Sequence, residues 1–252
     1  MIVVAAVITL LQVLPGWPRV RRSFFDADTF RDVFPELLKP FWYDIQIFLW
    51  SAPLIITVAL LISFARNVRS PALYPLRLAA TAYVDIVRGV PVILWIYLIG
   101  FGVVGLVNTR AWYGSYIVWG TVALVMTYSA YVSEVFRAGI ESVHESQRAA
   151  ARSLGLSSSQ TMRHVVLPQA VRRVVPPLMN DMVSLQKDVA LISVLGPVEV
   201  LRRATIETQR DFNYTPYVAA AVLFLCVSIP LTRLTDHLIQ RERRRMSGTS
   251  VR

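Results

Sequence analysis

The sequence predicts an all-α integral membrane protein with a core of five membrane-spanning helices and a short apolar segment ahead of it. Three observations predict this. Of its 252 residues, 55% are hydrophobic and only 17% are charged, a balance too apolar for a water-soluble domain. Long stretches without any charge (45–64, 89–106, 111–133 and 213–232) have the length of helices that cross a hydrocarbon layer. The arginines between those stretches follow a one-sided distribution. The segments placed on the inner side (66–88, 137–173 and 233–252) hold 16 of them and those placed outside (19–40, 107–115 and 199–212) hold 8.

In chain order, residues 1–18 are uncharged and end in Pro15-Gly16-Trp17-Pro18. The apolar part, 2–14, is shorter than the about 20 residues a span needs. It lacks the charged start and small-residue cleavage site of a secretory signal, which leaves a half-inserted segment or, the favoured expectation, a span whose start lies upstream of Met1. Residues 19–43 read as an extracytoplasmic connector with some amphipathic helix. A membrane domain then covers 44–240. Its first span is 45–64, with Trp42 and Tyr43 at the outer interface and Arg66 and Arg69 at the inner one. Residues 76–106 read as one long helix that enters from the cytoplasm and is weakened at Gly89 and Pro91. Residues 111–133 return inward. A cytoplasmic loop occupies 134–173. A less regular span, 174–198, opens on Pro176-Pro177, and a polar outer segment, 199–211, precedes the last span, 213–232. A basic tail, 241–252, closes the chain on the cytoplasmic side.

The formal net charge is +10, nearly all of it from arginine, with Lys39 and Lys187 the two lysines. In a soluble protein this balance would point to nucleic acid. Here it fits the inner loops of a membrane protein, and no nucleic-acid partner is expected. Cys226 stands alone in an apolar run, which excludes an intramolecular disulfide and a cysteine metal cluster. His144, His164 and His237 are not at ligand spacing, and neither a P-loop nor a G-x-S-x-G elbow is present. The run from Gly100 to Gly105 has the letters of a dinucleotide fingerprint but no strand before it. Its glycines are better read as allowing close helix packing. An enzyme with its own catalytic cluster is therefore not expected.

Two polar constellations remain. The first is in the inner loop. Ser142 and Glu145 have capping-box spacing, the run from Gln147 to Leu154 is rich in alanine and arginine, and Gly155 is placed to end the helix. This makes a helix of about three turns with small residues on one side, which spacing alone reads equally as a handle for a partner or as a solvated surface helix that binds nothing. The second lies inside the fourth core span. Ionisable groups at membrane depth cost about 2.5 to 3.5 kcal/mol each and so usually face a bundle interior. Asp181, Ser184 and Asp188 share one helix face, and Asn180 and Lys187 a neighbouring one, which reads either as the polar lining of a substrate path or, for Lys187 and Asp188, as groups near the outer interface that pair with neighbouring helices; Pro176-Pro177 tips the reading toward the path.

The run Gln147-Arg148-Ala149-Ala150-Ala151-Arg152-Ser153-Leu154-Gly155, followed by Val165 and Leu167-Pro168-Gln169-Ala170, resembles the cytoplasmic EAA loop of bacterial ABC importer permeases. The stretches from Tyr83 to Pro91 and from Leu185 to Leu191 resemble signatures of the polar amino-acid subfamily, of the glutamate, glutamine and histidine type. The likeness covers roughly residues 44–240. Ala149 stands where the family's motif has glutamate, and Ser146 where it usually has glycine. The resemblance implies a type I ABC importer transmembrane core and a permease subunit of an ATP-driven amino-acid importer in the bacterial cytoplasmic membrane. It implies that Gln147, Arg148, Ala149, Ala150, Ala151, Arg152, Ser153, Leu154, Gly155, Leu167 and Pro168 couple to the ATPase. The expected partners are two ABC ATPase subunits, a second permease copy or paralogue, an extracytoplasmic amino-acid-binding protein and the lipid bilayer. No cofactor is expected on this chain, since ATP and Mg²⁺ would sit on the ATPase. The competing reading is a non-transporting membrane adaptor.

Overall fold

The computed structural model describes residues 13–68, 70–107 and 111–247. Most of the apolar segment 1–18, the centre of the turn after residue 107 and the end of the basic tail lie outside the described residues. Helix α1 (Trp17–Phe24) is short and leads into α2 (Ala27–Asn67), which Asp26 caps by accepting bonds from the amides of Asp28 and Thr29, both at 3.0 Å. At 41 residues α2 is about 60 Å long, roughly twice a hydrocarbon layer. It runs unbroken across residues 43 and 44, so the predicted connector and the first core span share one helix. The reason is a single buried stripe, Val33, Leu37, Phe41, Asp44, Ser51, Ile55, Ala59 and Ser63, which keeps one face against the bundle over the whole length.

The expected helix over 76–106 is two helices. Helices α3 (Tyr74–Gly89) and α4 (Val92–Val107) meet at 106°. Val90 is extended (φ −117°, ψ 134°), as a residue before proline prefers, and Pro91 starts the new helix. Trp95 Nε1 donates to the Val87 carbonyl at 3.0 Å, which satisfies one of the groups the break exposes.

Helix α5 (Tyr116–Glu141) is the centre of the bundle and packs on α2, α3, α4 and α8. Its buried hydroxyls bond within the helix, Thr127 to the Ala123 carbonyl and Ser133 to that of Ala130, both at 2.8 Å. After it come α6 (Glu145–Ser153), the single turn α7 (Ser158–Thr161), a π-helical turn over Met162–Val166, and α8 (Leu167–Asp188). The sequence placed a disrupted helix start at Pro176-Pro177. Instead α8 begins seven residues before Val174, at Leu167, and carries both prolines in its interior. Packing along α5 and α2 holds the helix through them. A 3₁₀ stretch, Val189–Leu195, ends at Gly196 with φ +104°. The polar outer segment is itself helical, α9 (Val200–Asp211), and α10 (Thr215–Ser247) closes the chain.

Among the described residues three helices are long and apolar enough to cross a membrane, and the bent α3–α4 pair makes a fourth candidate. Helix α8, with Asp181, Lys187 and Asp188, is not among these and depends on the bundle around it. Together α2, α3–α4, α5, α8 and α10 form the five-part core. Within lipid there is little hydrophobic gain in pairing helices, so close fit decides. Gly100 of α4 provides such a fit, since a Cβ there would collide with Leu195, and a Cβ on Gly120 of α5 would meet Ile192 at 2.9 Å. Gly102 and Gly105 have open space, so of the three glycines in that run one serves packing.

At the α9 end, Glu199 is almost fully buried and accepts bonds from the amides of Leu201 (2.8 Å) and Arg202 (2.6 Å), which caps α9. Burial nevertheless pushes its carboxyl up from 4.5 to about 7, the two amide bonds opposing the rise. A raised value means that the folded protein holds the proton more tightly than the unfolded chain. The associated stability is therefore fully present below about pH 4.5 and is lost as pH rises through 7, by about 3 kcal/mol at most. The thermal unfolding midpoint in detergent should fall between pH 5 and pH 8, and Glu199→Gln should flatten that slope. An unchanged slope in the variant would assign the dependence to another group.

Candidate functional site

The loop helix α6 is fixed at both ends. His144 is its N-cap, with Nδ1 accepting from the Ser146 amide at 3.2 Å. Ser142, expected to open this helix, instead ends α5, and its hydroxyl donates to the Gly139 carbonyl at 2.6 Å. The far end is a Schellman closure. The Gly155 amide donates to Arg152 O at 2.9 Å and that of Leu156 to Ala151 O at 3.2 Å. Gly155 has φ +84°, a conformation glycine adopts without strain, as the sequence predicted for a terminating glycine. Ser157 and Gln160 then form a reciprocal capping box that turns the chain toward α8, where Pro168 lies in the first turn.

These bonds divide the predicted coupling residues into two groups. Gln147, Ala149, Ala150, Arg152, Ser153, Leu154, Gly155, Leu167 and Pro168 are exposed, and Leu154 stands 85% open. Ala151 faces inward at 5% exposure. Arg148 also turns inward, and its Nη2 donates to the Ile140 carbonyl of α5 at 2.6 Å. The resemblance counted both among the coupling residues. The orientation is set by the end of α5, which is not visible from α6's own sequence.

The residues of α8 are likewise re-sorted. Asn180, Ser184 and Lys187 form an exposed stripe, while Asp181 and Asp188 are half-buried on the adjacent side. Asp188 accepts a bond from Tyr128 of α5 at 2.7 Å, and Asp181 Oδ2 is buried without a partner. One turn along, Gln186 is buried and accepts from Ser228 of α10 at 2.7 Å. Tyr128 was missed because nothing in an uncharged span marks one tyrosine as a partner.

A second polar centre lies where α2, α3 and α5 end together. Glu134 of α5 binds Arg66 of α2 at 2.7 Å and Arg137 in its own helix, and Arg88 of α3 lies 3.9 Å away. Arg88 also stacks over the Tyr131 ring, 5.7 Å from its centre. Glu134 follows directly on the uncharged run 111–133, a place that could have marked it from sequence.

A bundle of apolar helices that encloses ionisable side chains and projects a capped, exposed helix from one loop is the membrane-embedded part of a transport system. Residues 74–244 match the model of the family described as binding-protein-dependent transport system inner membrane component. The chain belongs to that family. It is 34% identical over 168 residues to the probable glutamine ABC transporter permease protein GlnM of Bacillus subtilis, covering 66% of this chain and 76% of that one. It is 31% identical over 210 residues to the glutamate transport system permease protein GluC of Corynebacterium glutamicum, covering 79% and 91%. Among solved structures it superposes on one described as an amino acid ABC transporter with histidines. The TM-score is 0.74 at 26% identity, covering 86% of this chain and 98% of the other. The methionine transporter MetNI, at 19% identity and a TM-score of 0.65, shares the fold.

Proposed function

We propose that this chain is the permease subunit of an ATP-driven importer of polar amino acids, and that α6 is where the ATPase docks. The observation that carries this reading is the exposed face of α6. Gln147, Ala149, Ala150, Arg152, Ser153 and Leu154 form a surface in which three small residues, two polar ones and one bare leucine alternate, held on a capped helix anchored to α5. A small-residue surface lets another backbone approach closely, and an exposed leucine favours a partner's apolar cleft. ATP and Mg²⁺ bind on that partner. The arginine bias supports a cytoplasmic position for α6 and the C-terminus. An extracytoplasmic binding protein delivers the amino acid to the α9 end, and a second permease copy or paralogue completes the path with two ATPase subunits.

Asp181, Asp188 and Lys187, with Asn180 and Ser184, supply both signs of charge and neutral polar groups, which suits a zwitterionic cargo. The alternative of a non-transporting adaptor would account for α6 but not for the ionisable side chains along α8.

The test is co-purification with a cognate ATPase in detergent, followed by uptake of radiolabelled polar amino acids into liposomes. Gly155→Pro replaces φ +84° with a residue locked near −65°, so it breaks the end of α6 and should lose the ATPase. Retention of the ATPase by this variant at the wild-type level would remove α6 as the docking element.

A further inference from the structure

The last turn of α5 is held by two guanidinium groups from different elements. Arg148 of α6 donates to Ile140 O at 2.6 Å, and Arg173 of α8 donates through Nη1 to Ser142 O. Both carbonyls are at the C-terminal end of α5, where a helix exposes unpaired acceptors and negative dipole charge. Each bond is charge-assisted, and so is stronger than a neutral one. Beneath them Ile140, Val143, Val166 and Ala170 form a small apolar cluster. Gly139 brings α5 so close to α8 that a Cβ there would collide with Val174. Three elements therefore meet at one point: α6, the start of α8 and the end of α5.

The same α5 carries Tyr128, bonded to Asp188 on α8. Tyr128 and Ile140 are 12 residues apart, about 18 Å along the helix axis. A displacement of α6 that is locked to the end of α5 reaches Tyr128 as a rigid-body movement. Without the lock, α6 could swing on the loop while α5 stayed still.

We infer that Arg148 and Arg173 are positioning residues that lock α6, α5 and α8 into one rigid block, so that movement at the docking helix arrives at the polar residues of the bundle. This rests on α6 being the ATPase docking element. Arg173 lies outside the segment that resembles the coupling motif, and Arg148, inside it, acts inward and not on the ATPase.

Two measurements test the block. The first needs only the permease, in lipid nanodiscs. Spin labels at Ile117→Cys and Ser153→Cys, with Cys226→Ser as background, report the distance between the far end of α5 and α6. The wild type should give one narrow distribution. Arg148→Ala and Arg173→Ala should each broaden it, and Arg173→Lys, which keeps one donor, should restore most of the narrowness. Distributions as narrow as the wild type in both alanine variants would overturn the inference. The second uses the complex with the ATPase in liposomes. Arg173→Ala should keep ATP hydrolysis and lower amino acid imported per ATP about tenfold, the loss of one charge-assisted bond. Hydrolysis and import falling together would make Arg173 a docking or folding residue and overturn the inference. A wild-type complex that hydrolyses ATP without importing any polar amino acid would reject the cargo assignment instead, with the label distances still deciding the block.

Discussion

Replacing Glu134 by alanine is expected to destabilise the bundle by about 3 kcal/mol and to lower the unfolding midpoint measured in detergent. Glu134 is 20% exposed and Arg66 11%, so the pair is well shielded and only lightly screened. Its two oxygens serve Arg66 and Arg137, with Arg88 close by, so that one carboxylate balances cations from α2, α3 and α5. Removing it leaves Arg66 without its carboxylate among packed helices, and breaking such a pair costs far more than the pair itself contributes. Glu134→Gln should be intermediate, because an amide oxygen still accepts one bond. The double variant Arg66→Met, Glu134→Leu should recover part of the loss, since an apolar pair leaves no orphaned charge on α2. Additive losses in that double-mutant cycle would show that the two side chains do not interact.

This network also shows which features could be read from the sequence. Local signals were legible. Gly155 ends α6 as its position in the alanine- and arginine-rich run suggests, and Gly89 with Pro91 marks a real weakness between α3 and α4. Their size was not: the 106° bend depends on what α4 packs against, including the fit of Gly100 on Leu195, and that partner lies 95 residues away. Arg66 and Glu134 are 68 residues apart, and Tyr128 and Asp188 are 60 apart, so no periodicity could connect them. A helix start failed where the preceding helix claimed the expected capping residue. Ser142 has the right spacing to open α6, yet it closes α5, and His144 takes the cap. The inward turn of Arg148 could not be read from α6 alone, because its partner is the Ile140 carbonyl at the end of α5.

The division of α6 into an inner and an outer face makes neighbouring alanines behave in opposite ways. Ala150 is exposed, so Ala150→Trp should leave the fold alone and keep the unfolding midpoint within about 0.5 kcal/mol of the wild type. What it should remove is docking. An indole in a surface of small residues holds a partner's backbone away by several ångströms, and disrupting the centre of an interface costs about 2 to 4 kcal/mol. Import should fall by about a hundredfold or more, together with loss of the co-purified ATPase. Ala151, one residue on, is 5% exposed. Ala151→Trp must displace its packed neighbours, so it should fail in stability and expression before any question of docking arises. Measuring midpoint, ATPase retention and import for both variants separates surface from scaffold. If Ala150→Trp expresses normally and imports at the wild-type rate, the outward face of α6 is not the docking surface, and the exposed Leu167 and Pro168 at the start of α8 become the place to look.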